Sequence, residues 1–132
     1  VKSIPTTTTV IELSENWLRT VQTHEPNAVT SLYADEGVLI GTVADTLKQG
    51  HSEIIEYFHM FLAKENLRGE FHDHLVQTND GWAIDSGNYT FRWEEGGTTV
   101  EVPARFSFVY VQGNDGWKIA NHHSSAHPAG SA

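Results

Sequence analysis

Cysteine is absent from these 132 residues, which removes disulfides, a thiol nucleophile and any thiolate-bound metal, and leaves the redox compartment open. Positive charge is scarce. Eight Lys and Arg against 17 Asp and Glu give a formal net charge of −9. Nucleic acid requires a basic stripe and an anionic membrane a basic cluster, so neither is an expected partner. A small anion held by one arginine and a few hydroxyls remains compatible with this charge. No apolar run is long enough to span a bilayer. The stretch Val1 to Thr9 is polar, with no basic segment leading into an apolar one, so it does not read as a secretory signal. The chain starts with Val, not Met, which leaves a removed leader open; the expected location is cytoplasmic, or plastid if a transit peptide was removed. A phosphate loop, a dinucleotide fingerprint and a G-x-S-x-G elbow are missing too, since Gly113 to Gly116 is hairpin sequence with no helix after it.

What is present is ordinary for a folded domain: 39% hydrophobic and 19% charged residues. The length suits a single domain over 1–132, large enough for a core without metal or disulfide staples. Thr9 to Glu12 reads as a capping box, and Val10, Leu13, Trp17, Leu18 and Val21 recur at helical spacing, predicting a helix over 10–23. Pro26 opens a second short helix reaching toward Tyr33, and Gly37 breaks it. Residues 38–40 read as a buried strand running into Gly41 and Thr42, 43–50 as a loop, and Ser52 as the cap of a third helix carrying Tyr57. Strand signals follow over 71–78, 82–93, 100–111 and 116–124, separated by Gly, Asn and Asp clusters typical of hairpins. Helices first and a long antiparallel meander second indicate an α+β domain, a curved antiparallel sheet wrapped around the N-terminal helices to make a cone with one deep pocket.

The densest chemistry lies at the end of the last strand, in His122-His123-Ser124-Ser125. Strand side chains alternate, so His122 and Ser124 share one face and His123 and Ser125 the other. One pair can face a cavity; alternatively the run is a polar strand end whose side chains satisfy backbone groups. His72 and His74 have the spacing of two metal ligands on one strand face, but no further local ligands complete a site, and a solvated strand edge explains them as well. Arg105 sits in an apolar strand and needs a partner: Glu101, a helix carboxylate, or an anion in the pocket. Thr42 and Tyr57 taken singly read as capping or core.

Taken together, Trp17, Leu32-Tyr33-Ala34, Gly41-Thr42, Ile55 to Phe58, Gly87-Asn88-Tyr89, Ala104 to Tyr110, Trp117-Lys118-Ile119, the His-His-Ser-Ser run and Pro128 resemble the bacterial and algal relatives of the calcium/calmodulin-dependent kinase II association domain, in the NTF2-like superfamily. The ending is similar to the iota class of carbonic anhydrases. The resemblance implies an NTF2-like cone, a homodimer, and reversible hydration of CO2 to bicarbonate without metal or other cofactor. It assigns hydroxyls to Thr42, Tyr57 and either Ser124 or Ser125; Ser124 is preferred because Ala120, on its face, leaves room for a ligand. His122 is expected to bind substrate and accept a proton, and Arg105 to anchor bicarbonate. The pocket of kinase hubs is more basic than this one. Two rivals stand beside this reading: an isomerase or cyclase of the same fold, which needs a pocket carboxylate with a raised pKa as base, and a binding or oligomerisation module without catalysis. The large strand aromatics exceed what one cone interior should hold, which predicts dimerisation through the outer sheet face.

Overall fold

The structure is a computed structural model that describes residues 2–42 and 44–128. Its elements run α1 (Thr7–Val21), α2 (Pro26–Thr30), β1 (Tyr33–Ile40), β2 (Leu47–Gln49), α3 (His51–Phe61), β3 (Glu65–Phe71), β4 (Leu75–Asn79), β5 (Trp82–Glu95), β6 (Thr98–Gly113) and β7 (Gly116–Ala126). The sheet order is β2-β1-β7-β6-β5-β3, with β4 also on β5. All pairings are antiparallel except β1 with β7, which is parallel. The result is the expected α+β cone: a curved, unclosed sheet closed off by N-terminal helices. No described helix is long and apolar enough to cross a membrane.

The helix α1 starts earlier than its periodicity predicts. Thr6, not Thr9, is the cap, its Oγ1 accepting from the Thr9 amide at 3.1 Å. The buried stripe of α1 is Val10, Ser14, Trp17, Leu18 and Val21, a 3.6-residue pattern with one polar member. Gly37 lies inside β1 and breaks no helix; a Cβ there would sit 3.0 Å from the carbonyls of Ala34 and Ile119. The loop expected over 43–50 contains β2. The N-cap of α3 is Gly50 at φ +82°, so Ser52 does not cap it.

The strand expected over 71–78 begins only at Leu75, because the chain turns a corner at 72–74 after Phe71, the last residue of β3, a strand not expected from the sequence. There the Asp73 carboxylate accepts from the Asn88 amide at 2.7 Å, and Gly87 admits the Asp73 backbone, whose oxygen would lie 2.3 Å from a Cβ at position 87. The corner sends the two histidines to different partners. His72 Nε2 meets Thr90 Oγ1, and His74 Nδ1 meets Asp85 Oδ2, both at 2.8 Å.

Inward alternation accounts for the aromatics. Tyr89, Phe91 and Trp93 on β5 and Phe106, Phe108 and Tyr110 on β6 are all buried among α1 and α3. The surplus invoked for an outer-face dimer is therefore not on the outer face; Trp82 is the one strand aromatic among the exposed large hydrophobics.

Deep under α1, Asp85 is fully buried. Ser14 donates to its Oδ2 at 2.6 Å and pairs with the Tyr110 hydroxyl at 2.8 Å, while Oδ1 has no partner. Burial raises the Asp85 pKa, against the opposing pull of Ser14 and His74. A raised carboxyl pKa means that its contribution is full below the ordinary carboxylate range and is lost as pH rises through the raised value. Asp85→Ala should cost about 3 kcal/mol, because it removes the partner of both Ser14 and His74. In denaturant unfolding, the stability of the native chain relative to Asp85→Asn should fall as pH rises from 3 toward neutrality; a flat difference would contradict the account.

Candidate functional site

The site is built around the end of β7, and its phase depends on one bulge. Tyr110 pairs with Ile119 but Val109 with Asn121, so Ala120 is an extra residue on β7. The bulge lets Ile119 face inward and His122 and Ser124 as well, although their numbers differ in parity; all three are buried. Ala120 thus marks the bulge and does not make the room beside Ser124. That room comes from Gly41. The parallel pairing of Leu39 with His122 brings Gly41 level with Ser124, and a Cβ on Gly41 would lie 2.3 Å from the Tyr57 ring. Glycine there admits the tyrosine.

Thr42, Tyr57, Ser124 and His122 all line one interior cavity, with Trp17 and Tyr89. The expected residues therefore converge from a strand end, a helix and the last strand. The free space is about 10 Å³, room for about one water. Tyr57 is fixed by stacking on Phe61, centroids 5.5 Å apart, and by an edge contact with Phe58 at 5.2 Å. Arg105 does not join them. Its neighbours Ala104 and Phe106 point inward, so Arg105 is exposed on the opposite face of the sheet. The expectation that it faces the pocket is corrected by strand alternation alone.

Sequence reasoning placed Tyr33 at the end of the second helix and Tyr89 on a strand and gave neither a role; Tyr33 in fact opens β1. Each carries a hydroxyl that burial obliges to find a partner, and both find His122. Tyr33 OH lies 2.8 Å from His122 Nδ1, and Tyr89 OH lies 3.2 Å from Nε2 and 2.6 Å from Ser124 Oγ. Ser124 in turn bonds Thr42 Oγ1. At the far end Trp17 Nε1 donates to Tyr33 OH at 3.2 Å.

This chain has a direction. Indole nitrogen only donates, so Tyr33 oxygen accepts from Trp17. Among the described residues, the only acceptor in bonding contact with the Tyr33 proton is His122 Nδ1; the other tautomer would leave a buried hydroxyl unsatisfied, a cost of about 1–3 kcal/mol. Nδ1 therefore carries no proton and Nε2–H donates to Tyr89 oxygen. The Tyr89 proton goes to Ser124. Each link points from Trp17 toward the Ser124–Thr42 pair at the cavity.

The electrostatics agree. His122 is stacked on Phe108, centroids 4.1 Å apart, and burial, with a smaller push from His123, lowers its pKa to about 3. Burial raises Tyr89 and Tyr33, only partly offset by their hydrogen bonds. All three groups are neutral across physiological pH. His122 is thus a neutral link between two tyrosines, and the expectation that it accepts a proton because histidine titrates near neutrality is corrected. Among the described residues no three His, Cys, Asp or Glu side chains are placed to share a metal.

Nitrogen-15 spectra of the His122 ring should show an unprotonated Nδ1 and a protonated Nε2, unchanged from pH 5 to pH 8. Tyr33→Phe removes the donor to Nδ1 and should give a tautomer mixture. A wild-type ring that titrates near pH 6.5, or a mutant spectrum identical to wild type, would contradict the directed chain.

The comparisons with known proteins follow the same outline. Residues 6–128 match the family described as the calcium/calmodulin dependent protein kinase II association domain. A candidate association domain of that kind from Xanthomonas campestris is 38% identical, with a TM-score of 0.85, covering 91% of this chain and 86% of its own. A candidate dehydratase of the NTF2-like family from Streptomyces avermitilis is 16% identical, TM-score 0.79, with 91% and 95% covered. A ketosteroid isomerase-like protein from Erwinia carotovora atroseptica is 18% identical, TM-score 0.73, with 90% and 94% covered. The last two show the fold alone. A comparison with curated proteins finds no match. With nearly its whole length matched and its fold that of the NTF2-like cone, the chain belongs to the calcium/calmodulin dependent protein kinase II association-domain family.

Proposed function

We propose that this chain is a carbonic anhydrase that hydrates CO2 to bicarbonate without a metal. The observation that carries the reading is the one-water cavity in which Thr42, Tyr57 and Ser124 meet at the end of a chain of hydrogen bonds directed into it. Hydration forms one bond, from the water oxygen to the CO2 carbon. One C=O pair of electrons becomes a carboxylate charge, and the attacking water loses a proton. A fixed donor aimed at the developing charge, in a site walled by Trp17, Phe58 and Phe61, stabilises that charge without reorganising. The hydroxyls of Ser124, Thr42 and Tyr57, which line the cavity, are the groups that supply such donors. Hydroxyl oxygens also accept, so they can orient the water. The released proton goes to solvent or buffer, since His122 lies too low and Tyr89 too high to take it near neutrality. CO2 is larger than the present cavity, so its entry requires a shift of side chains in the lining.

Metal independence is supported by the donor set: there is no cysteine, and His72 and His74 are turned to Thr90 and Asp85. The family also supports a homo-oligomer, a homodimer being the simplest form. Of the rivals, the isomerase or cyclase reading gains a buried carboxylate with a raised pKa in Asp85. Asp85 is not among the residues lining the cavity and is held by Ser14 and His74, so it lacks a substrate to act on. A non-catalytic association module predicts no hydration at all.

Stopped-flow hydration assays test the reading. Thr42→Ala, Tyr57→Phe and Ser124→Ala should each lose roughly a hundredfold or more in kcat/KM, with circular dichroism unchanged. Ser125→Ala, on the other strand face, should be much milder. Across pH 6 to 8 the hydration rate should show no inflection from His122. Elemental analysis of the active protein should find no stoichiometric transition metal, and chelation should leave the rate unchanged; a metal whose removal abolishes activity would overturn metal independence. Full activity in all four variants would overturn the assignment of this cavity.

A further inference from the structure

The cavity uses only half of the His-His-Ser-Ser run. His123 and Ser125 face the other side of the sheet, where with Arg105 and Ser107 they line a groove of about 140 Å³. Strand register makes this a compact block. Arg105 stands opposite Ser125, and Ser107 opposite His123, positions whose Cβ atoms lie about 5 Å apart in any antiparallel pair. On the next strand Ser86 Oγ meets Ser107 Oγ at 2.8 Å.

Charge pairing sets Arg105 apart. Arg68 holds Glu94 at 2.7 Å, Arg92 holds Glu70 and Glu101 at 2.7 and 2.8 Å, and Arg19 faces Glu12 at 3.9 Å. Arg105 is the arginine with no carboxylate partner among the described residues, in a chain with more than twice as many acidic as basic side chains. The carboxylates nearest in register are occupied elsewhere: Asp73 by the amide and side chain of Asn88, and Glu101 by Arg92. The block therefore offers a guanidinium fork, an imidazole and two hydroxyls, with no opposing negative charge in the groove lining.

We infer that this outer groove is a binding site for one small free oxyanion of the bicarbonate, phosphate or sulfate class. The Arg105 fork supplies a bidentate, charge-assisted contact, and Ser107, Ser125 and a His123 ring N–H supply further donors. The volume suits one such ion and is well below that of a drug-sized ligand pocket. The net charge of −9 disfavours a polyanion in its place. The site is distinct from the interior cavity and does not depend on the carbonic anhydrase reading.

The test is an NMR titration of the full chain with sodium phosphate and, separately, sodium bicarbonate, at constant ionic strength set by chloride. The Arg105 Nε–H and His123 ring signals should shift saturably with millimolar half-saturation, and chloride alone should not shift them. Arg105→Gln should weaken the response by at least about tenfold, the scale of a lost charge-assisted bond. His123→Gln should weaken it as well. Overturning results are linear shifts without saturation, an equal effect of chloride, or an undiminished response in both variants. So is a wild type silent to both anions whose oligomer, by light scattering, dissociates on Arg105→Glu, since that would make the groove a contact between copies of the chain.

Discussion

The interaction on which the site depends is the clamp of neutral His122 between two buried phenols. An imidazole in the dry centre of a cone is expensive when charged and acceptable when both nitrogens are bonded. Tyr33 and Tyr89 satisfy one nitrogen each. Because Trp17 only donates, the clamp has a single polarity, and the Ser124–Thr42 pair inherits it. A buried network with every member satisfied is rigid, so the hydroxyls at the cavity are aimed before any ligand arrives. This is the property a catalyst without a metal needs most, since it has no concentrated charge to recruit at the moment of reaction.

The geometry rests on three local departures from regular structure. The bulge at Ala120 resets the phase of β7, so that Ile119 seals the core while His122 and Ser124 still face inward. Gly41 gives up its side chain to Tyr57. The corner at Asp73 and Gly87 separates β3 from β4 and places His74 over Asp85.

Much of this was legible in the sequence. The alternation of Tyr89, Phe91 and Trp93, and of Phe106, Phe108 and Tyr110, marked β5 and β6 as strands, though all six are buried where the sequence reading sent a surplus to the outer face. Glycine and Asn-Asp clusters marked the hairpins, and the His-His-Ser-Ser run marked the strand that carries the site. The convergence of Thr42, Tyr57 and Ser124 was expected from resemblance to a family; periodicity could not have brought a strand end, a helix and a terminal strand together. What was not legible follows from long-range packing. The Ala120 bulge has no local signature, so Ser124 was chosen for a reason that the register replaces. The role of Tyr33 depends on a histidine 89 positions away. Arg105 was left with three possible partners, and the simple alternation of β6 would already have sent it outward, away from Phe106.

The central claim is the direction of the hydrogen-bond chain that ends at Ser124 and Thr42, and neutron diffraction from a deuterium-exchanged crystal reads it directly. The account predicts deuterium on His122 Nε2 and none on Nδ1, with the Tyr33 deuteron pointing to Nδ1 and the Tyr89 deuteron to Ser124 Oγ. A doubly deuterated His122, or deuterium on Nδ1 with Tyr89 donating back to Nε2, would contradict it.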